Sequence, residues 1–245
     1  MAKNVLITGG SRGIGKATAL AFAEAGYNVA INYNKNTEAA NQVVNEIKAF
    51  NVKAYAIKGD VSNVDVALNV IKETMDLLGQ IDALINNAGV KRDGPIESMS
   101  EKDYDLVMDT NVKGAWAMIK HTLNQTPNDH PLRIINITSG TGIVGRENQV
   151  NYAMSKFALN GMVKALGKEL GPKGITINAV APGLTNTDMT AYVDEKGKQA
   201  HADTIPLKRL GTTHDIANAC LFLVSDKAGF INGQVIPVNG GIHGA

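Results

Sequence analysis

The stretch "NVLITGGSRGIG" (residues 4–15) decides how the chain is read. An aliphatic run, "NVLIT" (4–8), ends in glycines, and residues 13–25 then carry apolar positions at helical spacing. Strand, glycine turn and helix, in that order, are the context a phosphate-cradling turn requires, because the helix N-terminus then faces the anion. Gly9 permits the tight turn, Gly13 removes a Cβ where backbone approaches a pyrophosphate, and Gly15 lets helix and strand pack closely. The spacing is not the general G-x-G-x-x-G, and a glycine-rich turn also serves packing alone. The rest of the chain has to choose between the two.

The same alternation continues downstream. Apolar runs recur at 28–33, 52–57, 82–86, 133–138, 175–180 and 234–238, and helical patterns fill 37–50, 63–78, 100–124, 150–171 and 213–224. The runs are nearly continuously apolar rather than alternating, as in a parallel sheet covered on both faces. Together they predict an α/β, doubly wound Rossmann fold, a seven-stranded parallel sheet with helices on both faces. No repeat or linker cuts the chain, so 1–245 reads as a single domain. The polar stretch 184–210 is the one long connection, a surface loop or a candidate substrate lid.

Composition narrows the function. With 245 residues, 44% hydrophobic and 19% charged, and a formal net charge of +1, the chain has an ordinary globular composition that speaks against nucleic acid or an anionic membrane as the main partner. Cys220 is the only cysteine and sits in the apolar run "IANACLFLV", which predicts a buried, inert thiol and fits a cytoplasmic location. No window reaches the length of a membrane span, and the N-terminus turns to glycine too early for a signal peptide. The five histidines are scattered without paired spacing or nearby cysteine, so no metal site is expected.

"YAMSK" (152–156) sets Tyr152 and Lys156 four apart, on one face of a predicted helix and about a turn apart. Alone, that pair reads as well for a snorkelling lysine beside a half-buried tyrosine. It does not stand alone. "TGGSRGIG" (8–15), "NNAG" (86–89), "TNVKG" (110–114), "NITS" (136–139), "YAMSK" and "APG" (181–183) follow one another in order, most of them at strand ends. On these motifs the chain resembles the short-chain dehydrogenase/reductase family along essentially its whole length.

The resemblance implies a nicotinamide cofactor. Ser11, Arg12 and Ile14 would join Gly9, Gly13 and Gly15 around it; Asp60 and Val61 would flank the adenine, and Asn87, Ala88 and Gly89 would line the groove. Pro182 and Gly183 fit the family turn beside the nicotinamide, with Thr185 and Thr187 near the carboxamide or pyrophosphate. After the second strand the chain reads "INYNKN" (31–36), without the acid that would bind ribose hydroxyls. Lys35 and Arg12 are instead suited to a 2′-phosphate, with Tyr33 and Asn34 beside them, so the cofactor is expected to be NADPH/NADP+.

A ketone reduction needs a positioned carbonyl and an acid for the developing alkoxide. Tyr152 would be that acid, its phenolate favoured by Lys156 and by the oxidised cofactor; Ser139 would hold the substrate oxygen. By resemblance, Lys156 also binds the nicotinamide ribose and Asn111 helps hold a water for proton relay. Within the family the resemblance is to bacterial 3-oxoacyl-[acyl-carrier-protein] reductases, which implies a 3-oxoacyl thioester substrate, an acyl carrier protein and a homotetramer. Two departures stand out: "TPNDHPLR" (126–133) where basic residues are frequent, and Arg146, Glu147 and Asn148 where smaller residues are frequent. A reductase of another ketone, sugar or acyl-CoA, or a nonenzymatic NADP(H) sensor, remain the alternatives.

Overall fold

In the computed structural model, residues 2–127, 129–187 and 194–242 are described. The apolar runs form seven strands: β1 (Asn4–Ile7), β2 (Asn28–Tyr33), β3 (Ala54–Lys58), β4 (Ala83–Asn86), β5 (Arg133–Ile137), β6 (Thr176–Pro182) and β7 (Val235–Val238). They join in one sheet of order β3-β2-β1-β4-β5-β6-β7 with every pairing parallel. Apolar side chains on both faces explain the continuous runs. Val5 and Ile7 pack with Phe22 and Ile216 in one cluster, while Leu6 and Leu84 pack with Ile71 and Met118 in another. Each fully buried aliphatic side chain of this kind stabilises by about 1.5–3 kcal/mol.

Helices α1 (Gly13–Glu24), α2 (Thr37–Lys48) and α3 (Val64–Leu78) follow the first three strands, and α9 (Thr213–Val224) precedes the last. Local chemistry sets their starts: Asn36 and Asn63 accept first-turn amides, and Thr212 and Asp215 form a capping box. Cys220 is fully buried in α9, as expected, and burial pushes its thiol up to about 12.

Three features depart from the sequence reading. The predicted helix 100–124 is α4 (Glu101–Met108) and α5 (Gly114–Gln125) joined by a π-helical turn, Asp109–Lys113. A short helix α6 (Thr141–Val144) precedes the long α7 (Val150–Leu170). The stretch 184–210 also contains a helix, α8 (Glu195–Thr204), capped by Asp194 and seated through buried Ala202, with Ile205 buried just beyond it. Apart from Gly197, Ala200 and Ala202 its residues are polar, which hid it from periodicity. A bridge between Thr185 and Gly211 ties the ends of this excursion together; residues 188–193 lie outside the described residues.

The order reverses at β1, with β2 on one side and β4 on the other. The carboxyl ends of β1, β4, β5 and β6 therefore open side by side, where a doubly wound sheet binds ligands.

Candidate active site

The glycine loop is built by close approach. Gly9 has φ +64°, and a Cβ there would lie 3.0 Å from Ala88 Cα. At Gly15 a Cβ would collide with the Gly9 carbonyl oxygen and come within 2.6 Å of Asn87 Nδ2. Gly13, at φ +55°, differs: its absent Cβ would meet only the Thr187 side chain, at 3.9 Å. Backbone at the start of α1 thus faces open space roofed by Thr187, and the Arg12 side chain makes no cap. That is a cradle an anion fits.

Asn87 locks the loop to the next strand end. Its Nδ2 donates to the carbonyls of Thr8 (2.9 Å) and Gly9 (3.1 Å), while Thr8 Oγ1 accepts the amides of Asn87 and Ala88, each at 3.0 Å. At the ends of β2 and β3, Tyr33 is buried and donates its hydroxyl to Thr37, whereas Asn34 and Lys35 are exposed. Burial would raise the Asp60 carboxyl, but hydrogen bonds from Ser62 and Asn34 and the nearby Lys35 charge prevail and hold it below its ordinary value. Val61 is buried under the start of α5, within van der Waals reach of Gly114.

A cavity of about 410 Å³ runs from this loop to α7, lined among others by Asn87, Gly89, Ser139, Tyr152, Lys156 and Gly183. Helical geometry brings Lys156 Nζ to 5.5 Å from the Tyr152 ring centroid, and the ammonium donates to the Ile137 carbonyl at 2.8 Å. Lys156 is 3% exposed, and burial pushes it down to about 8. Tyr152 is pushed up to about 12, first by burial and further by Asp93, with a hydrogen bond to Ser139 opposing the rise. In the ligand-free site desolvation dominates and Tyr152 stays a phenol; the expectation that Lys156 and the oxidised cofactor together favour the phenolate concerns the cofactor-bound state. Pro182 ends β6, Gly183 donates its amide to Val238, and buried Thr185 donates to the Gly183 carbonyl.

Asn111 sits within the π-helical turn. Its Oδ1 accepts the Val90 amide (2.8 Å), and its Nδ2 donates to the Val90 carbonyl (2.9 Å) and to Ser155 Oγ (3.0 Å). Both amide hydrogens are therefore engaged and one acceptor lone pair remains. A Cβ at Gly89 would lie 3.3 Å from Asn111 Oδ1 and 3.6 Å from Lys156 Nζ, so Gly89 borders both side chains. Such π-turns occur frequently at functional sites.

Comparison with known proteins gives the family. Residues 9–243 match the family described as enoyl-(acyl carrier protein) reductase. The chain is 44% identical over 243 residues, 99% of each chain, to the 3-oxoacyl-[acyl-carrier-protein] reductase FabG of Staphylococcus aureus strain Mu50. A short chain dehydrogenase from Burkholderia cenocepacia J2315, solved in complex with NADP, superposes with a TM-score of 0.92 at 33% identity over 98% of this chain and 97% of that one. The chain belongs to the short-chain dehydrogenase/reductase family. A blue fluorescent protein from a metagenomic library, solved in complex with NADPH, has the same TM-score, 0.92, at 33% identity over 99% of this chain and 98% of that one.

For a short-chain dehydrogenase/reductase, the sequence reading missed residues that hold the motifs together. Thr8 clamps two loops, Ser155 supports Asn111, and buried Gln149 donates to Asp93 at 2.9 Å beside the cavity. Thr8 and Ser155 lie inside recognised motifs and Gln149 just before one, which was their only signal. The loop geometry also carries a prediction: Gly15→Ala is expected to destabilise the fold by about 1–3 kcal/mol through overpacking and to weaken cofactor binding at least tenfold. Chemical denaturation and fluorescence titration check it, and wild-type behaviour in both would refute the packing argument.

Proposed function

We propose that this chain is an NADPH-dependent reductase of a 3-oxoacyl thioester carried on acyl carrier protein, giving the (3R)-3-hydroxyacyl product in fatty-acid or related polyketide or aryl-polyene biosynthesis. The observation that carries the reading is 44% identity along 99% of the chain to a reductase of that name. The site chemistry supports it: Ser139 and Tyr152 offer hydroxyls on one cavity wall, as a ketone oxygen needs.

When bound, NADPH supplies the hydride that adds to the ketone carbon. Gly9, Ser11, Arg12, Gly13, Ile14 and Gly15 would hold its phosphates, Asn87, Ala88 and Gly89 its inner groove, and Pro182, Gly183, Thr185 and Thr187 its nicotinamide end. Arg12 and exposed Lys35, with Tyr33 and Asn34 beside them, would take the 2′-phosphate, and Asp60 and Val61 the adenine. Ser139 orients the ketone oxygen, and the Tyr152 phenol gives that oxygen its proton as the carbon–oxygen double bond becomes single. The buried Lys156 ammonium stabilises the phenolate left behind, and the remaining Asn111 lone pair can hold a water that leads a proton back.

The subunit is proposed to assemble as a homotetramer. Leu106, Trp116, Met154 and Phe157 are exposed on α4, α5 and α7, and Phe230 is exposed near β7, apolar side chains that partner subunits would cover. Met118, by contrast, is fully buried in the core.

The test is NADPH oxidation with acetoacetyl thioester, a matched free ketone, and NADH in parallel. Thioester turnover with NADPH at ten times or more the rate with NADH is expected. Faster reduction of the free ketone would favour a different reductase, and binding without turnover would favour a sensor.

A further inference from the structure

The cavity around Tyr152 extends beyond the groups that the reduction uses. Among the described residues, its lining contains three lysine or arginine side chains, Lys91, Arg146 and Lys156, and no aspartate or glutamate. Lys156 is committed to Ile137, and Lys91 pairs with Asp93 at 3.2 Å. The Arg146 guanidinium has no hydrogen-bond or ion-pair partner among the described residues.

Its backbone, however, is well anchored. Gly145 and Asn148 adopt φ of +76° and +60°, turning the chain sharply on either side of Arg146 and Glu147. The Asn148 carbonyl accepts the Gly94 amide at 2.8 Å, the Arg146 carbonyl accepts the Gln149 amide at 3.2 Å, and Gln149 Nε2 donates to Asp93 at 2.9 Å. Asp93, held by Lys91 and Gln149, is absent from the cavity lining. The loop therefore presents an unspent cation at the cavity wall, while Asp93 is held by Lys91 and Gln149 and the adjacent Glu147 does not line the cavity. A cleft of one charge sign focuses its field, and a guanidinium matches a carboxylate or phosphate with two parallel hydrogen bonds.

We propose that Arg146, supported by Lys91, is a specificity-determining residue that selects substrates bearing an anionic group, carboxylate or phosphate, remote from the reacting ketone. The proposal rests on the 3-oxoacyl thioester reading. The anion could sit at the far end of the acyl chain or on the pantetheine arm, and the substrates below separate these sources.

Three 3-oxoacyl thioesters of matched chain length are compared by NADPH oxidation, with KM and kcat separated: an uncharged N-acetylcysteamine thioester, its analogue with a carboxylate ending the acyl chain, and the 4′-phosphopantetheine thioester of the uncharged acyl group. Wild type is expected to prefer one charged substrate about tenfold in kcat/KM, mainly through KM. Arg146→Gln is expected to bring that ratio near one, and Arg146→Lys to recover part of it. The substrate that loses its advantage identifies the source of the anion. Wild type reducing all three equally, or Arg146→Gln lowering all three by one factor, overturns the inference and leaves the thioester reading intact. Reduction of none overturns both.

Discussion

Tyr152→Phe is expected to lower kcat for the thioester about a thousandfold, within the range assigned to a positioned general acid, while NADPH affinity stays within about threefold. The substitution removes one oxygen and little volume. The ring remains beside the Lys156 ammonium, whose Nζ lies 5.5 Å from its centroid, and the hydrogen bond to Ser139 is lost. Because burial holds the Tyr152 phenol up at about 12, the wild type carries its proton throughout the neutral range and needs no ionisation before delivering it. Turnover above a tenth of wild type would contradict Tyr152 as the acid.

Lys156→Met is expected to act on two separate readouts. Turnover should fall at least about a hundredfold, because the ammonium that stabilises the departing phenolate is gone. Stability should change in the opposite sense, because a buried cation is replaced by an apolar side chain of similar length. The pH dependence follows from the direction of the shift. With Lys156 pushed down to about 8 from an ordinary 10.5, the unfolded chain keeps this proton between those values while the folded chain sheds it. The unfolded state then binds more protons, so this group makes the wild type more stable as pH rises through that window, by at most about 1.4 kcal/mol per pH unit. Below pH 8 both states are protonated and the cost of burial stands in full. Denaturation of the cofactor-free proteins should show the variant more stable at pH 7 and the gap narrowing toward about pH 9.5. A gap independent of pH would contradict the burial argument.

Much of the sheet was legible because a parallel sheet covered on both faces writes its strands as unbroken apolar runs, as in Leu6 and Ile7 or Leu84 and Ile85. Strand edges were less so: the predicted 52–57 is Ala54–Lys58, whose register with β2 runs from Val29 opposite Ala54 to Tyr33 opposite Lys58. The π-helical turn left no trace in periodicity because a single widened turn around Asn111 barely shifts the apolar stripe. Helix α8 was hidden by its composition and α6 by its four residues.

At the site, Ser139, Tyr152 and Lys156 were singled out by the ordered motifs and the family resemblance rather than by spacing alone, and all three line one cavity. Their electrostatics were not. The phenol's upward shift depends on burial and on Asp93, which lies 59 residues from Tyr152 in sequence and reaches it only through the fold. Gln149 and Thr8 were equally invisible, since what each does is bind a neighbouring loop rather than a ligand.

The most direct test of the account is an incubation of the purified chain with NADPH and a 3-oxobutanoyl thioester, with the product resolved on a chiral column. One (3R)-3-hydroxybutanoyl thioester formed for each NADPH consumed is the predicted result. NADPH bound but not consumed, or a product in which the ketone survives, would contradict it.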